Sequence, residues 1–154
     1  MTTTMMTSMW RARALVGAVV LTGALACTPP PRPRPPVPAE VVQRVSATLI
    51  GTWRGELTVG DDRGATTVVF SEPNRVTVTA PGIEASGSWR VTGETTFNLS
   101  LSGPYGTEGL KVRSTQEAVL DATGTRFTSS GTGYLENESA QTLGWLPTSF
   151  AVSK

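Results

Sequence analysis

The sequence predicts an all-β domain, an antiparallel up-and-down barrel of about eight strands, over residues 40–154. Apolar and polar residues alternate with a period of two along most of this region, as they do in half-buried strands. Clusters of Gly, Pro, Asp and Asn separate the alternating stretches at regular intervals, which is typical of sandwiches and barrels. Because closing a sheet removes its edges, consecutive hairpin-joined strands with one polar face favour the barrel.

A short helix is predicted before the strands. Val41, Val42 and Val45 share one helical face in the stretch 40–47, and Pro38 stands just before it. The helix has length for about two turns.

Seven strands follow the first one, which covers 49–59. The residues predicted to face inward are Leu49, Trp53, Leu57 and Val59; Val68 and Phe70; Val76, Val78 and Ala80; Ile83, Ala85, Trp89 and Val91; Phe97, Leu99 and Leu101; Leu110, Val112, Ser114, Gln116, Ala118 and Leu120; Phe127, Ser129, Gly131, Gly133 and Leu135. Turns are predicted at 60–64, 71–74, 81–82, 93–94, 103–108 and 121–124, and the last strand at 146–152. About 115 residues bury enough apolar surface to fold without a disulfide.

Residues 1–26 are predicted to be a lipoprotein signal peptide. Arg11 and Arg13 precede about thirteen apolar or small residues, fewer than the roughly 20 of a membrane-spanning helix. A charged start, a short apolar run and small residues before a cut point describe a secretory signal. Met9 begins a more typical signal than Met1, so the true start stays open between them.

The only cysteine, Cys27, ends this apolar run. The residues Ala24-Leu25-Ala26-Cys27 resemble the lipobox of bacterial lipoproteins, although the family usually has a branched apolar residue where Ala24 stands. The resemblance implies that Cys27 carries a diacylglyceryl thioether, becomes the first mature residue and attaches the protein to a membrane. The alternative is an ordinary signal peptide with an incidental cysteine. Thr28, in place of Asp, implies outer-membrane sorting if the source has two membranes.

Residues 27–39 are predicted to be the lipid anchor and a proline-rich linker. The stretch Thr28–Pro38 has almost no apolar side chain to bury, and its prolines favour extended polyproline II. Such a segment forms a stalk of roughly 30 Å. Arg32 and Arg34 would lie near anionic headgroups. A ligand for a proline-binding domain is the alternative.

A second resemblance concerns the barrel. Gly51-Thr52-Trp53, which enters the first strand after the short helix, resembles the Gly-x-Trp signature of lipocalin-like (calycin) barrels, and Gly87-Ser88-Trp89 repeats the pattern. The resemblance covers about residues 47–153. It implies that Trp53 packs across the barrel floor beneath a basic residue near the chain end, where only Lys154 is available. The chain departs from the family in having no paired cysteines and no long carboxy-terminal helix.

Composition narrows the classes of function. The chain has no histidine, the usual general base near neutral pH and the commonest metal ligand, so we expect neither catalytic residues nor a metal site. No cofactor is expected. The formal net charge is +1 without a basic cluster, so nucleic acid is not an expected partner.

Six inward positions are candidates to line a ligand site. Ser114 and Gln116 interrupt an apolar face, and an unpaired buried glutamine costs about 1–3 kcal/mol. They indicate a partly hydrated lumen in which Gln116 orients a ligand; the alternatives are a bulge that swaps the two faces, or a glutamine bonded to neighbouring backbone. The full candidate set is Trp53, Trp89, Phe97, Ser114, Gln116 and Phe127. For the tryptophans, core packing is the alternative, since side chains alone can fill an eight-stranded barrel.

These observations predict a membrane-anchored envelope lipoprotein whose barrel binds an apolar or amphipathic small molecule. The alternative is a structural or protein-interaction module with a side-chain-filled barrel, its protein partner unknown. A filled interior around Trp53 and Trp89 would favour the alternative, and a void that reaches Gln116 would favour the ligand.

Overall fold

Eight strands close into one antiparallel barrel in the computed structural model, which describes residues 34–106 and 109–154. Each strand pairs with its neighbours in sequence, and β1 pairs with β8. The elements are α1 (Ala39–Leu49), β1 (Gly51–Val59), β2 (Asp62–Ser71), β3 (Arg75–Ala80), β4 (Ile83–Val91), β5 (Thr96–Tyr105), β6 (Leu110–Leu120), β7 (Arg126–Glu136) and β8 (Thr142–Ser153). The predicted all-β, eight-stranded up-and-down barrel is confirmed. The signal peptide, Cys27 and most of the linker lie outside the described residues.

The helix α1 closes one end of the barrel, which we call the helix pole. Val41, Val45 and Leu49 are buried, one turn apart on a single face. Val42 was predicted to share that face but is 37% exposed, because it lies about 100° around the helix from Val41. No helix among residues 34–106 and 109–154 has the length and apolar character needed to cross a membrane.

The opposite end, which we call the mouth, is ringed by the turns that follow β1, β3, β5 and β7. The turn after β1 is shorter than predicted, because β2 already begins at Asp62. The last strand begins at Thr142 instead of Leu146, and a bulge lies opposite Leu135 and Glu136. The hairpin of β7 and β8 is therefore longer than the sequence indicated.

Glycines permit the sheet to bend tightly into a barrel. A Cβ atom at Gly55 would overlap the carbonyl oxygen of Ala151 on β8, and a Cβ atom at Gly87 would overlap that of Ser100 on β5. Both glycines stand at inward positions of the alternating pattern, where most other residues are apolar. Glycine at such positions lets neighbouring strands approach and curve.

The core is one continuous cluster that runs from α1 through the barrel. All five described inward positions of β6 from Val112 to Leu120 are buried, in strict alternation with exposed residues. A period of two places these residues on one face, so the alternating pattern positions every candidate side chain considered below.

Candidate functional site

Trp53 lies at the floor of the barrel and is fully buried. Its indole Nε1 donates a hydrogen bond to the carbonyl oxygen of Leu49, at 2.8 Å, which ties β1 to the end of α1. The ammonium of Lys154 lies 5.3 Å from the centroid of the Trp53 ring and donates to the carbonyl oxygen of Thr48 at 2.7 Å. A cation over an indole face at this distance is attracted by the ring quadrupole. The last residue of the chain therefore covers the floor tryptophan.

Above Trp53, aromatic rings fill the lumen edge to face. Phe127 lies 5.2 Å from Trp53 and 5.3 Å from Phe97, measured between ring centroids. Phe70 contacts the rings of Trp53, Phe97, Phe127 and Trp89 at centroid distances of 6.4, 5.9, 5.7 and 6.0 Å. The Nε1 atom of Trp89 donates to the carbonyl oxygen of Arg75 at 3.1 Å. Rings in this geometry gain about 0.5–1.5 kcal/mol per pair beyond their burial.

Gln116 is 2% exposed and has its polar atoms paired with side chains of the same barrel interior. Its Oε1 accepts a hydrogen bond from the Ser129 hydroxyl at 2.6 Å, and its Nε2 donates to the Ser114 hydroxyl oxygen at 3.3 Å. Ser114 lies on β6 itself, and Ser129 lies on the neighbouring strand β7. Both occupy inward positions. The glutamine therefore has internal partners, and they are the hydroxyls of two serines instead of the neighbouring backbone that the sequence suggested as an alternative.

The structure brings the six sequence-predicted residues together inside the barrel. They are Trp53, Trp89, Phe97, Ser114, Gln116 and Phe127, and none is more than 5% exposed. Phe127 contacts the rings of Trp53 and Phe97, and Gln116 is hydrogen-bonded to Ser114. A ligand role for any of these residues stays a prediction.

A cleft of about 390 Å³ opens at the mouth, above this filled region. Its apolar walls come from the inward ends of β1, β3 and β4, through Leu57, Val59, Ala80 and Ile83. The hydroxyl of Tyr105 donates to Oδ2 of Asp62 at 3.0 Å across its rim. Partial burial, followed by this hydrogen bond and the Asp62 charge, raises the pKa of Tyr105 above its usual value.

The sequence analysis did not single out the mouth cleft. The sequence feature that indicates the cleft is the small size of two inward residues, Gly64 and Ala80. They lie at the mouth ends of β2 and β3 and leave those positions without a large side chain. Gly64 and Ala80 lie on the two paired strands of the β2–β3 hairpin, and both line the cleft together with Ile83 of β4.

A second missed feature is the outer face of the β7–β8 hairpin. Three large apolar side chains are exposed there: Tyr134 by 48%, Leu143 by 58% and Trp145 by 70%. Tyr134 and Trp145 are register partners, and Arg113 of β6 pairs with Tyr134 in the same row. We call Tyr134, Leu143 and Trp145 the hairpin patch. The sequence did not indicate the hairpin patch, because the last strand was predicted to begin at Leu146, which places Leu143 and Trp145 in a loop.

The charged groups of the described residues are dispersed over the barrel surface. Among residues 34–106 and 109–154, no three His, Cys, Asp or Glu side chains lie close enough to hold a metal ion. Arg113 forms an ion pair with Glu136 at 3.0 Å, and Arg63 forms one with Glu56. These charges lie on the outer surface of the strands or at the rim.

No protein-family model matches the chain, and no curated protein matches it. The function must therefore be argued from the residues and their geometry.

Proposed function

We propose that this protein is a non-catalytic lipoprotein of the bacterial cell envelope, whose filled barrel is a rigid scaffold for an interaction surface. The observation that carries the proposal is the packed interior. Five interlocking aromatic rings and the Gln116 hydrogen bonds take up the lumen where a lipocalin-like carrier would hold its ligand. A barrel whose lumen is occupied by its own side chains acts through its outer surface.

The anchor in this proposal is a lipid on Cys27, supported by the lipobox resemblance and the signal-peptide pattern. The chain enters the barrel through Pro38 at the helix pole, just before α1. The proline-rich linker would thus separate the helix pole from the membrane by up to roughly 30 Å. In a source with two membranes, the protein would face the periplasm from the outer membrane.

Native mass spectrometry of the mature chain, purified from its own source in mild detergent, tests the scaffold. We expect the polypeptide mass plus its covalent lipid, with no further component that denaturation releases. A stoichiometric small molecule that is lost on denaturation would refute the scaffold proposal and would mean that the barrel carries a ligand.

The same spectra test the anchor separately. We expect the mature mass to begin at Cys27 with diacylglyceryl added, and a Cys27→Ser chain to lack that mass and leave the membrane fraction. A mature chain that begins elsewhere, with unmodified Cys27, would refute the anchor and leave the barrel argument as it is.

The mouth cleft favours a second candidate function, the binding of a small amphipathic molecule. Its apolar walls and the Tyr105–Asp62 pair at the rim fit a molecule with a short apolar part and one polar group. Because aromatic rings fill the lumen below, such a molecule would lie in the mouth alone.

A glycine pair separates this candidate from adsorption to exposed apolar surface. A Cβ atom at Gly64 meets only Pro81, at 3.5 Å, and one at Gly144 meets nothing within 4 Å, so a side chain can begin at either position without a clash. Gly64 lines the cleft and Gly144 does not. With N-phenyl-1-naphthylamine as the fluorescent probe, binding in the cleft predicts that Gly64→Leu abolishes the signal and Gly144→Leu retains it. Equal signals from both variants would exclude the cleft.

A further inference from the structure

We propose that the protein pairs with a second copy of itself through the free edge of β8 at residues 142–146, aided by the hairpin patch. The inference rests on the proposed function in one respect, since anchored copies would meet at a shared height above one membrane.

The β7–β8 hairpin extends beyond the end of β1 at the mouth. β1 pairs with β8 only from Thr148 to Ser153, and β1 ends at Val59. Among residues 34–106 and 109–154, no strand pairs with the other side of Thr142–Leu146. An unpaired strand edge is a template for a strand from another chain.

The backbone of Trp145 faces this free side. The carbonyl oxygen of Pro147 accepts a hydrogen bond from the amide of Gly60, at 2.8 Å, so Pro147 points toward the β1 side of β8. In an antiparallel strand, alternate residues direct both N–H and C=O to the same side. Trp145, two residues earlier, therefore presents an amide donor and a carbonyl acceptor beyond the end of β1.

The side chains next to this edge are apolar and exposed. Trp145, Leu143 and Tyr134 are exposed by 70%, 58% and 48%, and together they offer on the order of 350 Å². Patches of this size on monomers are often functional. A stable interface needs about 800 Å² from each partner, so the patch forms the centre of a contact and its polar rim must join it.

Antiparallel pairing of one strand with its own copy has twofold symmetry, the commonest symmetry of homo-oligomers. Such pairing would place Leu143 and Trp145 of one copy beside the same residues of the other, on the outer face. Gly144 lies between them, and no atom lies within 4 Å of the place of its missing Cβ.

The charges around the patch fit a second copy better than an anionic surface. Lys111 and Arg113 are balanced by Glu136 and Glu138, so a negatively charged membrane gains no net attraction at this face. Arg113 is 61% exposed although it pairs with Glu136, and its remaining donors can bind a carboxylate such as Glu138 of the other copy.

The geometry also limits the strength of pairing. Pro147 lacks an amide hydrogen, and the bulge opposite Leu135 and Glu136 distorts the hairpin, so the usable edge is five residues long at most. We therefore expect weak association in dilute solution. Attachment of both copies to one membrane raises their effective concentration and favours the pair.

Trp145 is its own reporter in the test. In the mature chain the other tryptophans, Trp53 and Trp89, are 0% and 5% exposed, so acrylamide quenches mainly Trp145. The chain that begins at Cys27 is attached through that sulfur to phosphatidylcholine vesicles, by its native lipid or by a maleimide lipid, from sparse to dense coverage. Pairing predicts at least a twofold fall in the quenching constant as surface density rises.

Two variants make the result specific. The double variant Tyr134→Thr, Leu143→Thr keeps the reporter and removes the surrounding patch, and we expect its quenching to be independent of density. Val119→Thr removes another apolar side chain, 48% exposed on β6, and should behave as the wild type does.

A double variant that still shows the density effect would overturn the part that the hairpin patch has in the pairing. Two outcomes would overturn the pairing itself: constant quenching of the wild type at all densities, or protection at every density with quenching by brominated lipid. The last would identify the membrane as the occupant. Because either attachment chemistry serves, an unmodified Cys27 in the native protein would refute the anchor without deciding the pairing.

Discussion

The two ends of the barrel differ in whether their large apolar residues are buried or exposed. At the helix pole, Trp53 is fully buried, hydrogen-bonded to Leu49 and covered by Lys154. At the mouth, Trp145 is 70% exposed on a hairpin that extends beyond β1. One tryptophan holds the fold together, and the other is available to a partner. The comparison shows that apolar side chains are packed at the helix pole and exposed on the hairpin at the mouth.

The sharpest test of the comparison is truncation of one tryptophan at each end. Trp53→Ala should lower the free energy of unfolding by about 3–5 kcal/mol, because it opens a cavity among packed rings. Trp145→Ala should change it by no more than about 0.5 kcal/mol, as surface substitutions usually do. Urea denaturation followed by circular dichroism measures both. Similar losses at the two sites would contradict the division between stabilising and available ends.

A smaller effect is expected at Gln116. Gln116→Met keeps the volume but leaves the Ser129 hydroxyl without its acceptor, so we expect a loss of about 1–3 kcal/mol in the free energy of unfolding. The triple variant Ser114→Ala, Gln116→Met, Ser129→Ala replaces every polar partner with an apolar group and should recover most of that loss. If the triple variant is the least stable, the hydrogen-bond account of the interior is wrong.

Lys154 should contribute about 1 kcal/mol through its position over Trp53 and its hydrogen bond to Thr48. Lys154→Met removes both interactions and should lower the urea midpoint, whereas Lys154→Arg retains a cation and should lie nearer the wild type. Equal midpoints for Met and wild type would show that the chain end does not stabilise the floor.

The smallest effect is expected at the β6–β7 turn, where Asp121 caps the backbone. Hydrogen bonds from the Thr123 hydroxyl, first, and from backbone amides such as that of Arg126 lower the pKa of Asp121 from its usual 3.8. A lowered folded-state pKa means that the ionised carboxylate stabilises the fold above pH 4 and that this contribution is lost as pH falls through the folded-state pKa. Asp121→Asn should therefore reduce the acid dependence of the urea midpoint between pH 7 and pH 3. An unchanged pH profile would contradict the capping role.

Much of the filled end could be predicted from the sequence. Strict alternation in β6 placed Ser114, Gln116 and Ala118 on the inner face before the structure was known, and they are buried there. The Gly-x-Trp resemblance implied a floor tryptophan beneath Lys154, and that contact is present. Both predictions depend on local periodicity or on one short motif, which a single sequence contains.

The mouth end could not be predicted in the same way. The cleft depends on how the mouth ends of the consecutive strands β1 to β4 lie next to the end of β5, which no single alternating stretch specifies. The hairpin patch depends on how far β8 continues past the end of β1, a difference in strand length that appears only when the two strands are paired. Whether Gln116 was hydrated or bonded internally also needed the position of Ser129 on the next strand.

The side-chain amide of Gln116 tests most directly whether side chains fill the barrel. Hydrogen exchange of this amide, followed by NMR with the exposed Gln43 and Gln141 as internal controls, measures water access to the lumen. A filled interior predicts that the Gln116 amide exchanges far more slowly than the controls and that lipid extracts from the source do not change its resonance. Exchange as fast as the controls, or a resonance that shifts with a lipid, would mean an open lumen and would contradict the account.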